Sequence, residues 1–138
     1  MNKNVITVQI IVNASIEKVW EYWNQPEYIT KWAFASDDWE APESENNVIV
    51  GGKFKTHMQS KDKKEGFDFE GTYTAVKEHE LIAYDMSDGR RVKVVFEQTP
   101  EGVKVTETFD PENENSEEMQ RVGWQAILNN FKKSVETK

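Results

Sequence analysis

The feature that most limits the fold is an alternation of apolar and polar side chains that runs through residues 53–109. In residues 67–75, for instance, Phe69 and Tyr73 fall on one side of the chain and Thr72 falls on the other. A period of two is typical of a β-strand with one buried face. The alternating segments are joined by short turns, which favour antiparallel neighbours in a meander. The apolar face of such a sheet has to be covered by another element.

Turn-forming residues separate these segments. Asp88 and Gly89 form a strong hairpin signal. A second turn is indicated by Pro100, Glu101 and Gly102. The start of the chain is rich in β-branched residues and is predicted to be a strand as well. The predicted strands are therefore residues 5–12, 53–59, 67–75, 81–86, 92–96 and 103–109. The acidic stretch 36–47 and the polar stretch 110–116 are predicted to be loops.

Two helices are predicted directly after the first strand. Ser15 is a residue type that caps helix N-termini. It is followed at helical spacing by the apolar residues Ile16, Val19, Trp20 and Trp23. Pro26 suits the first turn of a second, short helix that ends near Trp32.

The chain closes with a longer amphipathic helix. Ser116 followed by two acidic residues indicates its start. The apolar face of this helix is predicted to consist of Trp124, Ile127, Leu128, Phe131 and Val135, with Met119 and Val122 extending it backwards.

The element order therefore predicts an α+β fold for residues 1–138, read as a single domain. A curved antiparallel sheet wraps around the long C-terminal helix, and two short helices follow the first strand. The final helix is the only element long enough to cover the sheet. We expect a cavity between this helix and the sheet.

Charge and composition narrow the classes of partner. The chain carries 25 acidic and 17 basic residues, for a net charge of -8, which argues against nucleic-acid and anionic-membrane binding. The absence of cysteine excludes disulfides and thiolate chemistry. The first apolar stretch is interrupted by Thr7 and Gln9, unlike a signal peptide. We expect a cytoplasmic protein, monomeric or homodimeric.

Glu107 is the most unusual polar position in the alternating segments. It shares its phase with Val105 and Phe109, so strict alternation places a carboxyl group on the face that the helix covers. Buried carboxyl groups have a raised pKa unless paired, and they cluster at functional sites. The alternatives are a local bulge that turns Glu107 outward or a structural ion pair, for which the candidate partners are Arg90, Arg91 and Lys93.

Gly123 lies inside the predicted final helix, where glycine costs about 1 kcal/mol relative to alanine. Either the helix backbone approaches the sheet closely at this point, or space is left for a bound molecule. The neighbouring Trp124 is then either a cavity residue or plain core.

Neither histidine has the spacing of a metal ligand. His57 falls in the phase opposite Phe54 and Met58 and is expected to face solvent. Neither histidine lies three or four residues from a second ligand type on a recognisable helix. We therefore predict no metal and no cofactor.

The chain resembles the START-like, polyketide-cyclase-like (SRPBCC) superfamily, and within it the branch named after the C-terminal domain of the activator of the heat-shock chaperone ATPase. The resemblance rests on ASIEKVW at 14–20, PE at 26–27, KW at 31–32, GGKF at 51–54, FEGTY at 69–73, VTETF at 105–109, and GW at 123–124 with IL at 127–128. It implies the helix-grip fold. The superfamily contains lipid carriers, hormone receptors and aromatic cyclases, so it does not imply a single function.

The leading hypothesis is a domain that binds a small hydrophobic or aromatic molecule without needing an enzymatic activity. The predicted ligand contacts are Phe54, Met58, Phe69, Tyr73, Tyr84, Val94, Phe96, Val105, Glu107, Trp124 and Leu128, with Trp32 and Phe34 at the mouth. One alternative is a cyclase- or hydrolase-type enzyme with Glu107 as acid or base. The other is a co-chaperone role, in which the domain stimulates a chaperone ATPase.

Overall fold

The computed structural model describes residues 5–137, and this part of the chain forms seven strands and three helices. In chain order the elements are β1 (Ile6–Val12), α1 (Ile16–Asn24), α2 (Pro26–Ile29), β2 (Trp39–Asn46), β3 (Lys53–Ser60), β4 (Gly66–Lys77), β5 (Leu81–Met86), β6 (Arg91–Thr99), β7 (Gly102–Phe109) and α3 (Glu117–Thr137). The predicted α+β helix-grip architecture is confirmed.

The strands form one antiparallel sheet in the order β1-β7-β6-β5-β4-β3-β2. Consecutive strands from β2 to β7 are neighbours, and β1 closes onto β7 with Ile6 opposite Phe109. The sheet curls into a half-barrel around α3. Because the curl brings the inner faces of distant strands toward each other, one helix can cover side chains from most of the sheet.

The segment 36–47, predicted as a loop, contains β2 instead. This strand lies at the edge of the sheet and pairs only with β3, for example Ser44 with Thr56, and its register shifts between Glu40 and Glu43. Its glutamates and proline have low intrinsic strand propensity. Pairing with a preformed neighbour overrides that propensity, because backbone hydrogen bonds to β3 do not depend on the side chains.

Both predicted N-caps are present. The Ser15 hydroxyl accepts a hydrogen bond from the Lys18 amide at 3.2 Å, and the Ser116 hydroxyl accepts one from the Met119 amide at 3.1 Å. Each bond satisfies an amide that the first helical turn leaves without a partner. The two helices therefore begin where the sequence indicates.

The predicted extension of the apolar face of α3 through Met119 and Val122 is wrong. These side chains are 64% and 57% exposed, and the buried residue of that turn is Gln120. At 3.6 residues per turn, Gln120 lies on the same face as Trp124 and Phe131, whereas Met119 and Val122 lie about 100° or more away. The Gln120 side chain bonds to the backbone of the preceding loop at residues 112 and 115, which fixes the start of α3.

An aromatic cluster ties α1 and the following segment to α3. The ring of Phe131 is 4.9 Å from that of Trp23 and 5.0 Å from that of Trp32, both in edge-to-face geometry. Phe131 is completely buried, as its place on the apolar face predicts. This cluster fixes the C-terminal half of α3 against the core, so the remaining free space lies beside its N-terminal half.

Candidate functional site

A cavity of about 400 Å³ lies between α3, the α1–α2 segment and the inner face of β3, β4 and β5. Its apolar walls come from all of these elements: Trp23, Ile29, Trp32, Ala33, Phe54, Met58, Phe67, Phe69, Tyr73, Ile82, Tyr84, Met86, Trp124 and Ile127. The volume falls within the range of small-molecule sites in proteins, about 300–1,000 Å³.

The structure brings seven of the eleven predicted ligand contacts together along this cavity: Phe54, Met58, Phe69, Tyr73, Tyr84, Glu107 and Trp124. Trp32, expected at the mouth, also lines it, whereas Phe34 does not. The Phe34 carbonyl instead accepts a hydrogen bond from the Asn130 side chain at 2.7 Å.

The other four, Val94, Phe96, Val105 and Leu128, do not line the cavity. All four are buried in the hydrophobic core. Phe96 packs edge-on against Trp20 at 5.2 Å and Trp23 at 5.8 Å. The correct strand or helix phase places a side chain inside the fold, but the tryptophans of α1 fill the space that Phe96 would otherwise face.

The sequence argument missed several wall residues, among them Trp23, Ile29, Met86 and Ile127. Trp23 and Ile127 lie on predicted apolar helix faces, so their burial was expected. Their contact with the cavity depends on how the helices are placed against the sheet, for which the sequence carries no local signal.

Glu107 is inward-facing and only 6% exposed. It sits in a regular part of β7, opposite Val8 of β1 and Val94 of β6, so no bulge turns it outward. Its burial raises the pKa of this carboxyl to about 8. At neutral pH the group is therefore mostly protonated.

None of the three candidate partners pairs with Glu107. The Arg90 guanidinium is bonded to Asp88 at 2.9 Å, and that of Arg91 lies 3.8 Å from Asp85. Lys93 forms no ion pair within residues 5–137, and Glu107 likewise has neither an ion pair nor a side-chain hydrogen bond there. The alternative of a structural ion pair for Glu107 is therefore wrong.

Two tyrosines of the cavity wall are also removed from water. Burial, the nearby Glu107 and Tyr73 raise the pKa of Tyr84 well above its ordinary value. Burial likewise raises the pKa of Tyr73, whose hydroxyl donates to the side-chain oxygen of Asn46. Both phenols stay neutral at physiological pH, so the buried titratable groups of the cavity wall are one carboxyl group and two phenols.

The aromatic rings of the wall are packed against one another. The Phe54 ring lies 4.7 Å from that of Tyr84, and Phe69 is 6.0 Å from Trp124. Trp124 is in turn stacked on Phe109 at 3.8 Å. Such contacts hold the rings in place, so the cavity wall is preformed rather than assembled on binding.

Two glycines of this region differ in what surrounds them. A Cβ on Gly71 would lie 2.5 Å from the Asp85 carbonyl oxygen and 3.0 Å from the Phe54 ring, so only glycine permits Phe54 to pack there. A Cβ on Gly123 would meet nothing within 4 Å. Of the two explanations offered for Gly123, the close approach of backbones is therefore wrong.

No three His, Asp or Glu side chains converge as a metal site within the part of the chain that the structure describes. His57 is hydrogen-bonded to Asp68 at 2.9 Å and to Gln59 at 3.1 Å, and its pKa is raised chiefly by the Asp68 bond. None of the helices described in residues 5–137 is long and apolar enough to cross a membrane.

Comparison with known proteins finds a matching family and similar solved structures. The family model described as Activator of Hsp90 ATPase homolog 1-like protein matches residues 13–136. Among solved structures, the AHSA1-like protein from Aeromonas hydrophila is 42% identical with a TM-score of 0.91, over 97% of this chain and 93% of that one. A protein from Cytophaga hutchinsonii is 48% identical with a TM-score of 0.83, over 99% and 94%.

More distant structures share the fold alone. A protein from Chromobacterium violaceum is 20% identical with a TM-score of 0.84, over 96% of this chain and 97% of that one. No curated protein matches the chain.

Proposed function

We propose a function from the premise that the chain belongs to the family of Activator of Hsp90 ATPase homolog 1-like proteins. The function is the binding of a small hydrophobic or aromatic molecule in the cavity between α3 and the sheet. Proteins of this fold typically bind ligands or act on Hsp90, and the cavity favours the first of these roles.

The observation that carries the proposal is the cavity itself. It combines a volume of about 400 Å³ with a wall of aromatic rings and a few inward polar groups. Ligand sites have this composition, because apolar walls supply affinity and a few placed polar groups orient the ligand. Plain hydrophobic cores are packed to a density that leaves few voids larger than a water molecule.

A thermal-shift screen with lipids, flavonoids and polyketide-like aromatics tests the proposal. A compound at 100 times its Kd should add about 2.7 kcal/mol to the free energy of unfolding. Titration of intrinsic tryptophan fluorescence should report the same binding, because Trp23, Trp32 and Trp124 line the cavity.

A pair of variants locates the bound compound. Ala33→Leu adds three carbons inside the cavity wall and should weaken binding about tenfold or more, whereas Ala83→Leu, outside this cavity, should leave binding unchanged. Equal effects of the two substitutions, or the absence of any binder in the screen, would contradict the proposal.

A second candidate function is stimulation of a chaperone ATPase, which the description of the family favours. The exposed side chains of Met119 and Val122 lie three residues apart on α3 and offer an apolar contact outside the cavity. ATP turnover by Hsp90 with and without this protein tests it. A stimulation that the double substitution Met119→Ser, Val122→Ser abolishes would support this role, and an unchanged rate would dispose of it.

A further inference from the structure

We propose that the ligand is a hydrophobic organic cation whose ammonium group pairs with the carboxylate of Glu107 inside the cavity. This inference rests on the proposed function and specifies the chemical class of the ligand. Three independent features support it: an unpaired buried carboxyl group, walls of aromatic rings and the net negative charge of the protein.

The first feature is the missing partner of Glu107. A carboxyl group that is 6% exposed normally has a cation or several hydrogen-bond donors beside it, because burying it alone is costly. Within the described part of the chain, the basic side chain that lines the cavity is Arg90, which is held by Asp88 through both its backbone amide and its guanidinium. An ammonium group brought by a ligand would supply the partner that the protein does not.

The second feature is the ring system around the cavity. Phe54, Phe69, Tyr84 and Trp124 all line it. The faces of aromatic rings carry partial negative charge and attract ammonium groups, while they also provide apolar contact for the rest of the ligand. Rings of this kind favour a cation over a neutral molecule of the same shape.

The third feature is the net charge of the protein. The chain carries 25 acidic and 17 basic residues, for a net charge of -8, and the carboxyl group that is buried in the cavity is that of Glu107. A negative potential attracts cations and repels carboxylates, so fatty acids and other anionic ligands are disfavoured.

Binding of a cation here is coupled to loss of a proton. In the empty cavity Glu107 holds its proton at neutral pH, because burial raises its pKa to about 8. The ligand arrives as an ammonium ion, the carboxyl O–H bond breaks, and the proton passes to solvent as the ion pair forms. Affinity should therefore rise as the pH rises from 6 to 8.

Other groups near Glu107 do not titrate in this range. Across the sheet, Glu107 lies beside the apolar Val8 of β1 and Val94 of β6. Tyr84 on β5 is close enough for its pKa to be affected by Glu107, and Tyr73 on β4, Arg90 in the β5–β6 turn and Trp124 on α3 line the same cavity. The two phenols have raised pKa values, and an arginine stays charged. Proton release on binding is thus assigned to Glu107.

Three matched probes test the inference by isothermal titration calorimetry: 2-naphthylmethylamine, 2-naphthalenemethanol and 2-naphthoic acid. They share one ring system and differ in the charge of the polar group at neutral pH. Glu107→Gln is the protein variant, since glutamine keeps the shape and cannot ionise. Titrations of the amine at pH 7 in buffers of different ionisation enthalpy count the protons released.

We expect the amine to bind about 10- to 100-fold more tightly than the alcohol, and the acid to bind most weakly. Close to one proton should be released per amine bound, and none per alcohol. In Glu107→Gln the preference for the amine and the proton release should both disappear, while binding of the alcohol, which also shows that the variant is folded, should persist.

Equal or tighter binding of the alcohol or the acid would overturn the inference and leave the proposed cavity function standing. So would an amine preference that Glu107→Gln retains. If none of the three probes binds but the ligand screen finds a binder, the cation inference alone fails. If neither finds a binder, the inference and the proposed function fail together.

Discussion

Glu107 carries a carboxyl group that β7 directs into the fold, away from water and from the ionic partners that surface glutamates have. Its neighbours across the sheet are Val8 and Val94, and the cavity beside it is walled mainly by rings. Replacing the glutamate by a similarly sized neutral residue would remove the penalty of ionising it in this place.

The stability of the protein should therefore depend on pH through this residue. The folded state, with a Glu107 pKa of about 8, holds a proton that the unfolded state, with a pKa near 4.5, has already released at neutral pH. Stability should fall as the pH rises from about 5 to 8, with a slope from Glu107 approaching 1.4 kcal/mol per pH unit, roughly one proton's worth.

Urea denaturation of the wild type and Glu107→Gln between pH 5 and pH 9 measures how much Glu107 contributes to the pH dependence of the free energy of unfolding. The difference between the two free energies of unfolding should change in favour of the glutamine variant as the pH rises. A difference that is constant across this range would show that Glu107 ionises in the fold as it does in water.

Two aromatic residues of α3 should respond differently to truncation. Phe131 is fully buried between Trp23 and Trp32, so Phe131→Ala should cost about 3–5 kcal/mol. Trp124 is only partly buried and borders the cavity, so Trp124→Ala should cost less, about 2 kcal/mol, mainly through its stack on Phe109. Only Trp124→Ala should weaken ligand binding. Urea midpoints and calorimetric Kd values of both variants, measured at low temperature, test this; equal losses of stability with unchanged binding would make Trp124 plain core.

At the scale of elements, the two halves of α3 make different contacts. Its C-terminal half is packed against the aromatic cluster of α1 and the segment after α2, and Leu128, Phe131 and Val135 are fully buried there. Its N-terminal half is held by the polar contacts of Gln120, by the cap at Ser116 and by the stack of Trp124 on Phe109 of β7, and it borders the cavity. The cavity therefore lies beside the half of α3 that has fewer fully buried apolar side chains.

The N-cap of α3 should consequently matter for both stability and binding. Ser116→Ala removes the hydrogen bond to the Met119 amide and should cost about 1 kcal/mol. It should also loosen the cavity wall at Trp124 and weaken ligand binding. Ser134→Ala, in the interior of the same helix, is the matched control and should be neutral or slightly stabilising. Thermal unfolding and ligand titration of the two variants test this. If Ser116→Ala changes neither the stability nor the ligand affinity, the cap does not position the helix.

At the scale of the whole molecule, the sheet has a tightly covered side and a more open side. Strand β1 packs along α3, β6 contacts α1 through Phe96 and Trp20, and β7 contacts α3 through Phe109 and Trp124. Strands β6 and β7 also contribute the completely buried Val94 and Val105. Strands β3 to β5 face the cavity, and β2 is an edge strand paired on one side. Stability should be distributed in the same way, because opening a segment costs the contacts that it makes.

Native-state hydrogen exchange should show this gradient. The amides of β6 and β7 should exchange only through global unfolding, whereas those of β2, around Glu43 and Ser44, should exchange through local opening. A saturating ligand should slow exchange in β3, β4 and β5 more than in β1. Uniform protection across the sheet, or ligand protection confined to β1, would contradict this division.

The sequence by itself determined which residues turn inward. The alternation through Phe69 and Tyr73, the inward phase of Glu107 and the caps at Ser15 and Ser116 all appear in the structure as the pattern predicts. These features are local: the period of a strand or helix sets the face of a side chain, and a cap needs only the next three residues.

Only the tertiary structure decided which inward residues border open space. Tyr84 and Val94 are both on inner faces of neighbouring strands, yet Tyr84 lines the cavity and Val94 is sealed in the core. The same holds for Trp124 and Leu128 on one face of α3. A cavity is a gap between elements, so its position follows from how far the helices lie from the curled sheet. No local period in the sequence encodes the distance between a helix and the sheet.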